Sequence, residues 1–379
     1  MGENIIREIL KVVSRPGMIS LAGGIPSPES FPIELFENLQ KSVISKYKSE
    51  AFQYGPTEGF LPLREELVSI LANEGIEATA KQIMITSGSQ GTLDAIGKIL
   101  INKGDIIAVE SPTYLGALSA FNPYEPAYIG IKSDEEGLIP KDLDKVLSEN
   151  SVKFIYLIPT FQNPTGKTLS KSRREEIAKI IIKHNALLIE DNPYSSLRYK
   201  GENIKPIASL CPENSVYIST LSKIFAPGLR IGYYVAPEKI RYWLTLAKQG
   251  IDLHTSSYNQ ALAAEYISGG YLQAQIEKNV ELYKPKQIAM LNALQAYMPK
   301  GFTWSKPDGG MFIWVEGPKN YNMKELNILA MEQGVAFVPG EVFFSQKDEG
   351  KNTLRLNFTM ASPEVIDLAI KKLGELFDK

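Results

Sequence analysis

Between residues 80 and 235, short apolar runs alternate with stretches of helical periodicity. The runs are KQIMIT (81–86), DIIAVE (105–110), KFIYLIP (153–159), ALLIED (186–191), SVYISTL (215–221) and RIGYYVA (230–236). Each is short, β-branched or aromatic in character and bounded by polar, Gly or Pro residues, so each predicts a strand. Their near-continuous hydrophobicity predicts burial on both faces. Strands of this kind separated by helices, one of them expected from Gly91, predict an α/β protein with a largely parallel sheet covered by helices. One unit reads almost completely: a strand at Phe154–Ile158, a loop with Pro159 and Pro164, a helix opened by a capping box at Ser172 and Glu175, and a strand at Ala186–Glu190. It predicts a right-handed βαβ crossover.

Beyond Tyr283 the pattern changes. KPKQIAMLNALQAYM (284–298) predicts an amphipathic helix, GGMFIWVE a strand, KELNILAMEQG a helix, NTLRLNF a strand and VIDLAIKKLGELF a last helix. We expect a large domain over 41–283 and a smaller α+β domain over 284–379. Residues 1–40, with SRPGMISLAGGIPSPESFP rich in Gly and Pro, predict an arm contributing to the small domain.

Composition narrows the classes of function. Hydrophobic residues make up 44% of the 379 and charged residues 22%, the balance of a folded globular protein. With 41 Lys and Arg against 43 Asp and Glu, no global field favours nucleic acid or an acidic membrane. One cysteine, Cys211, excludes an intrachain disulfide, and two histidines, His184 and His254, argue against a multi-His metal site. The first ten residues are broken by Glu3, Arg7 and Glu8, which predicts neither a signal peptide nor a span, and Ile6 departs from the myristoylation pattern. A cytoplasmic protein is expected.

The chemistry is sought after the strands, because parallel sheets bind ligands at their carboxyl ends. Ser87-Gly88-Ser89-Gln90-Gly91 follows the first run and opens a helix, which makes either a tight turn or a phosphate cradle. Asn163-Pro164-Thr165-Gly166 follows the third, and alone it reads as a Pro/Gly turn. Asp191-Asn192-Pro193-Tyr194 follows the fourth, where Asp191 is a helix cap or the partner of a buried cation. Ser222-Lys223 and Pro227-Gly228-Leu229-Arg230 follow the fifth. A lone lysine is ordinarily a surface residue, but one between Leu221 and Ile224 at a strand end is partly desolvated and suits Schiff-base chemistry. Taken together the set offers an amine for an aldehyde, Arg and N–H groups for a phosphate, and a carboxylate for a ring nitrogen. Pyridoxal 5'-phosphate has those three parts.

The segments TLSKIFAPGLRIGY, NPTG, the D-x-x-Y run at Asp191 and NTLRLNF resemble the class I/II aminotransferases of the type I pyridoxal-phosphate fold, over essentially the whole chain. ISLAGGIPSPESFP, FQYGPTEGFLPLR, FQNPTG and KQGIDLHT are similar to the branch containing 2-aminoadipate, kynurenine and multi-substrate aromatic aminotransferases. The resemblance implies that Lys223 carries the cofactor and moves the substrate's proton, and that Asp191 pairs with the ring nitrogen. It implies that Asn163 and Tyr194 bond the ring's phenolic oxygen, and that Tyr114, otherwise a core tyrosine, stacks on the ring. Ser89, Gln90, Thr220, Ser222 and Arg230 match the phosphate cup, with Thr220 where many relatives have Ser. Tyr54 matches a tyrosine that reaches the neighbouring subunit's phosphate, which implies a homodimer with shared sites. Arg355, otherwise a partner in a surface ion pair, matches the fork for the substrate α-carboxylate, with Asn163 and the backbone of Gly24 beside it. Arg7, otherwise an exposed helix arginine, aligns with one that reaches a dicarboxylic side chain.

The implied activity is ping-pong transfer of the α-amino group of an L-amino acid (2-aminoadipate, an aromatic, leucine or kynurenine) to 2-oxoglutarate. The alternatives are another pyridoxal-phosphate reaction, such as β-elimination or decarboxylation, and a cofactor-binding sensor of the kind that follows a helix-turn-helix domain. A dehydrogenase is set aside because no G-x-G-x-x-G follows a predicted strand.

Overall fold

The computed structural model describes residues 17–378. Seven strands form the large sheet: β1 (Ile83–Ser87), β2 (Ile106–Glu110), β3 (Ala127–Ile131), β4 (Val152–Leu157), β5 (Leu188–Asp191), β6 (Ser215–Thr220) and β7 (Ile231–Val235), in the order β1-β7-β6-β5-β4-β2-β3. Only β7 is antiparallel to its neighbours, while β6-β5-β4-β2-β3 pair in parallel. The central strands are buried along their length, as their unbroken apolar runs require. All six apolar runs are therefore strands, and β3 is a seventh, found in AYIGI. The carboxyl ends of β1, β4, β5 and β6 face one edge, and β7 starts at that edge right after Arg230.

Two boundaries differ from expectation. The helix after β4 is Lys171–His184, and its N-cap is Ser170, whose side chain accepts from Arg173 N–H at 3.4 Å. Ser172 lies inside the first turn, so no capping box forms with Glu175. Starting at Ser170 puts Arg174 in the interior, where it donates to the carbonyls of Leu169 and Pro159. The helix expected from residue 284 starts at Tyr271 and runs to Tyr297 with Pro285 inside it. Proline in a first turn is a start signal, but tertiary packing carries this helix through it.

A second, antiparallel sheet holds β8 (Thr303–Trp304), β9 (Phe312–Glu316), β10 (Val338–Pro339) and β11 (Thr353–Asn357) in the order β8-β9-β11-β10. Helices Met323–Glu332 and Pro363–Phe377 complete this α+β part. The Gly/Pro-rich segment crosses to it: Ile19–Ser20 pairs in parallel with Val335–Ala336, and Asn357 N–H donates to Leu21 O at 2.8 Å. Ile33–Tyr47 is helical, so the irregular stretch ends earlier than residue 40. Among the described residues no helix is long and apolar enough to cross a membrane.

Candidate active site

The carboxyl edge of the large sheet, the β11 strand and the N-terminal segment enclose a cavity of about 310 Å³. Gly24, Ser89, Gln90, Tyr114, Asn163, Asp191, Tyr194, Thr220, Ser222, Lys223, Arg230 and Arg355 all line it. Twelve of the fourteen sequence-selected positions thus meet in one place. Tyr54 does not: it is 79% exposed, its ring edge-on to His254 at 5.8 Å in a separate surface cleft. Arg7 lies outside the described residues.

Each side chain is set by its strand end. β6 ends at Thr220, whose hydroxyl accepts from Ser222 N–H and donates to Ile231 O, closing a single turn that presents Lys223. Lys223 Nζ donates to Gly24 O at 2.9 Å. Burial first, then the positive charges of Arg355 and Arg230, lower its pKa to about 8, with Asp191 acting in the opposite sense. A pKa this far below that of a free lysine leaves a much larger share of neutral amine, the form that acts as nucleophile and base.

Asp191 closes β5. Tyr156 Oη, from the neighbouring β4, donates to its Oδ2 at 2.9 Å, while its Oδ1 is buried with no partner. Burial raises the Asp191 pKa to about 7, against the opposing effects of the Tyr156 hydrogen bond and Lys223. A buried carboxylate oxygen is rarely left unpaired, and a protonated ring nitrogen is a donor of the kind it lacks. Tyr156 is a site residue that sequence reasoning missed. Its signal was present, since a hydroxyl in the middle of a buried strand needs a partner.

Asn163 Nδ2 donates to Tyr194 Oη at 3.3 Å, and Asn163 Oδ1 accepts from Arg355 Nη1 at 2.8 Å. Arg355 also donates through Nη2 to Ala22 O at 2.7 Å, and its Nε is buried without a partner. Its guanidinium lies over the rings of Phe312 and Phe343, at 4.3 and 5.0 Å. The alternative of a surface ion pair does not hold for this residue, which is 3% exposed. Burial lowers its pKa to about 10, so it stays charged at neutral pH. Tyr114 and Tyr194 have their phenol pKa values raised by burial, Tyr114 to about 12.

At the other end of the cavity, Gly88 (φ +77°) turns the chain from β1 into the helix Ser89–Leu100, whose first N–H groups are free of intrahelical partners. A methyl group at Gly88 would collide with the Arg230 guanidinium, so only glycine allows that side chain to lie across the turn. Thr220, Ser222 and Ser89 add hydroxyls. Basic, hydroxyl and N–H donors converging on a glycine turn form an anion cup, and with the free Asp191 oxygen and the Lys223 amine they fit pyridoxal phosphate.

Comparison with known proteins agrees with this geometry. The family Aminotransferase class I and II matches residues 17–373. Aromatic-amino-acid aminotransferase 1 of Thermococcus litoralis is 46% identical over 98% of this chain and 90% of its own. The 2-aminoadipate transaminase of Thermus thermophilus is 36% identical over 97% of this chain and 92% of its own. A crystal structure of Pyrococcus horikoshii kynurenine aminotransferase in complex with PMP superposes with a TM-score of 0.95 at 44% identity, covering 100% of this chain and 95% of that one. The chain belongs to the class I and II aminotransferases and is a pyridoxal-phosphate-dependent transaminase of the type I fold.

Proposed function

We propose that the chain moves the α-amino group of aromatic amino acids, kynurenine, leucine or 2-aminoadipate to 2-oxoglutarate in two half-reactions of a ping-pong cycle. The observation that carries this reading is the Lys223 amine, its pKa lowered by burial, in one cavity with Asp191 and the Arg355 fork. When bound, pyridoxal phosphate supplies an aldehyde that condenses with amines and a ring that draws electrons from the substrate Cα.

The residues then divide the work. Lys223 would carry the cofactor and, once released by substrate, take the Cα proton at Nζ. Asp191 Oδ1 would hold the proton on the ring nitrogen, with Tyr114 stacked on the ring and Asn163 and Tyr194 at its phenolic oxygen. Ser89, Gln90, Thr220, Ser222 and Arg230 would hold the phosphate. Arg355, aided by Asn163 and the backbone at Gly24, would bind the α-carboxylate as a bidentate fork. That contact would hold the substrate so that its Cα hydrogen is within reach of Lys223.

Donor choice follows from the rest of the lining and from the relatives' names. Ile25, Leu115 and Pro193 supply apolar surface for an aromatic or aliphatic side chain. Among the described residues the cavity's basic groups are Lys223, Arg230 and Arg355, so Arg7 is our candidate to hold a second carboxylate.

The same reading takes the chain as a cytoplasmic homodimer with Tyr54 reaching the partner's phosphate. Phe52, Tyr54, Tyr242, Trp243 and Leu253 form exposed apolar surface in support of a second copy. It also takes 1–40 as an arm, 41–283 as the large domain and 284–379 as the small one, with the helix Tyr271–Tyr297 running through the join.

The test is an absorption titration of the cofactor-loaded protein with single amino acids and no acceptor. Aromatic donors and 2-aminoadipate should bleach the visible band, and 2-oxoglutarate should restore it. A band that none of these donors converts would overturn the reading.

A further inference from the structure

The segment KQGIDLHT contributes nothing to the cavity wall, yet it holds a partly buried charge cluster behind it. The helix Glu238–Ile251 ends at Asp252, and His254 N–H donates back to Asp252 O at 2.6 Å across Leu253, whose φ is +60°. A γ-turn of this sign at a non-glycine residue is strained and persists only where its surroundings fix it. The Leu253 side chain is exposed and does not fix it.

What fixes it is polar. Lys248, 4% exposed, donates to Asp252 Oδ1 at 2.7 Å and to Thr255 Oγ1 at 3.1 Å, pinning both sides of the turn. The other carboxylate oxygen, Asp252 Oδ2, accepts from Ser87 Oγ at 2.6 Å. Ser87 is the last residue of β1, pairs with Ile231 and immediately precedes Gly88. Its carbonyl accepts from Arg230 Nη2 at 3.1 Å. The other polar contact of that guanidinium is with Pro227 O at 3.5 Å, and among the described residues no carboxylate pairs with it. Ser87 O is therefore the fixed point that aims Arg230. Burying an ammonium against a half-buried carboxylate is a poor route to stability alone, but it is an effective way to hold one backbone carbonyl still.

We propose that Lys248, Asp252 and Thr255 form a positioning unit that fixes Ser87 and, through the Ser87 carbonyl, sets the grip of Arg230 on the cofactor's phosphate. The proposal rests on the reading of Arg230 as a phosphate ligand. It assigns no contact with substrate or cofactor to Lys248, Asp252 or Thr255.

The test compares two ligands that share a ring and an aldehyde and differ in the phosphate. Apoprotein is titrated with pyridoxal phosphate and with pyridoxal, following absorbance, for the unaltered chain, Ser87→Ala, Asp252→Asn and the double variant. The expected result is an increase of about tenfold in the Kd for pyridoxal phosphate in each single variant, the effect of loosening one charge-assisted hydrogen bond. The Kd for pyridoxal should stay within about twofold, and the double variant should be no weaker than the worse single one, because the two residues act through one link. Equal weakening toward both ligands, or an unchanged Kd for pyridoxal phosphate, overturns the proposal. Should Asp252→Asn fail to fold, Ser87→Ala, which removes a single oxygen, carries the same comparison. An unaltered chain that binds pyridoxal as tightly as pyridoxal phosphate would instead overturn the phosphate-cup reading beneath it.

Discussion

Tyr156 donates to one carboxylate oxygen of Asp191 at 2.9 Å and leaves the other buried and without a partner, on a residue that lines the same cavity as Lys223. The tyrosine sits one strand over, with β4 and β5 in parallel register at Tyr156 and Ile189. The fold thus reaches Asp191 from below and commits its free oxygen to whatever fills the cavity. A hydrogen bond to a charged group contributes ~1.5–3 kcal/mol. Tyr156→Phe should therefore slow the amino-acid half-reaction by roughly tenfold to a hundredfold, with little change in the amino-acid concentration at half-saturation. Asp191→Ala, which removes the charge itself, should slow it by more than ~1000-fold. Single-turnover absorbance measures both, and a Tyr156→Phe protein as fast as the parent would reduce the contact to packing.

The same carboxyl makes the apoprotein's stability depend on pH. Its folded pKa is raised by burial to about 7, above the ~3.9 of a free aspartate. Between those values the folded state holds a proton that the unfolded state has lost, so stability falls as pH rises through this window. Glu190 and Glu110, raised by burial to about 7 and about 8, act in the same direction. Replacing Asp191 by Asn removes its share. Asp191→Asn apoprotein should melt above the parent at pH 8, and the gap should close toward pH 4. A gap that is constant with pH would mean that the carboxylate is not strained in the folded apoprotein. Such a gain in stability at the expense of function is expected of a group placed for chemistry.

Arg355 is held by a carbonyl, an amide oxygen and two aromatic faces, with Nε unpaired. Lysine keeps the charge but loses the planar fork and the stacking. Arg355→Lys should raise KM by about a hundredfold for every α-amino acid alike, because the contact is with the carboxylate common to all of them. Steady-state kinetics with phenylalanine and 2-aminoadipate check this. A loss confined to 2-aminoadipate would assign Arg355 to the side chain and not to the α-carboxylate.

Much of this arrangement was legible in the chain. The six apolar runs are strands, and most of the reactive residues sit at the edge where the carboxyl ends of β1, β4, β5 and β6 meet, because a buried parallel strand is apolar along most of its length and places most of its chemistry at its end. What sequence did not expose depends on contacts between distant segments. The Asp191 partner Tyr156 lies 35 residues away, and the Ser87–Asp252 link spans 165. The start of the helix at Tyr271 was obscured by Pro285, a local signal that packing overrides. Ser170 and Ser172 offer the same capping chemistry two residues apart, and the inward placement of Arg174 decides between them.

Tyr54 stands apart from the cavity, exposed beside His254, and our reading gives it a role only across a subunit boundary. That role has a consequence a monomer cannot reproduce. A dimer of Lys223→Ala and Tyr54→Ala chains contains one site carrying both lesions and one site carrying neither, provided that Tyr54 serves the partner's site. Each variant alone should be weak or inactive. Mixed, unfolded and refolded together, they should recover up to about a quarter of the parent's activity per chain, since half of the dimers are mixed and each has one intact site. If Tyr54 instead served its own subunit's site, every site in the mixture would carry a lesion and no activity would return. Recovery measured against the two variants refolded separately therefore decides whether the sites are shared.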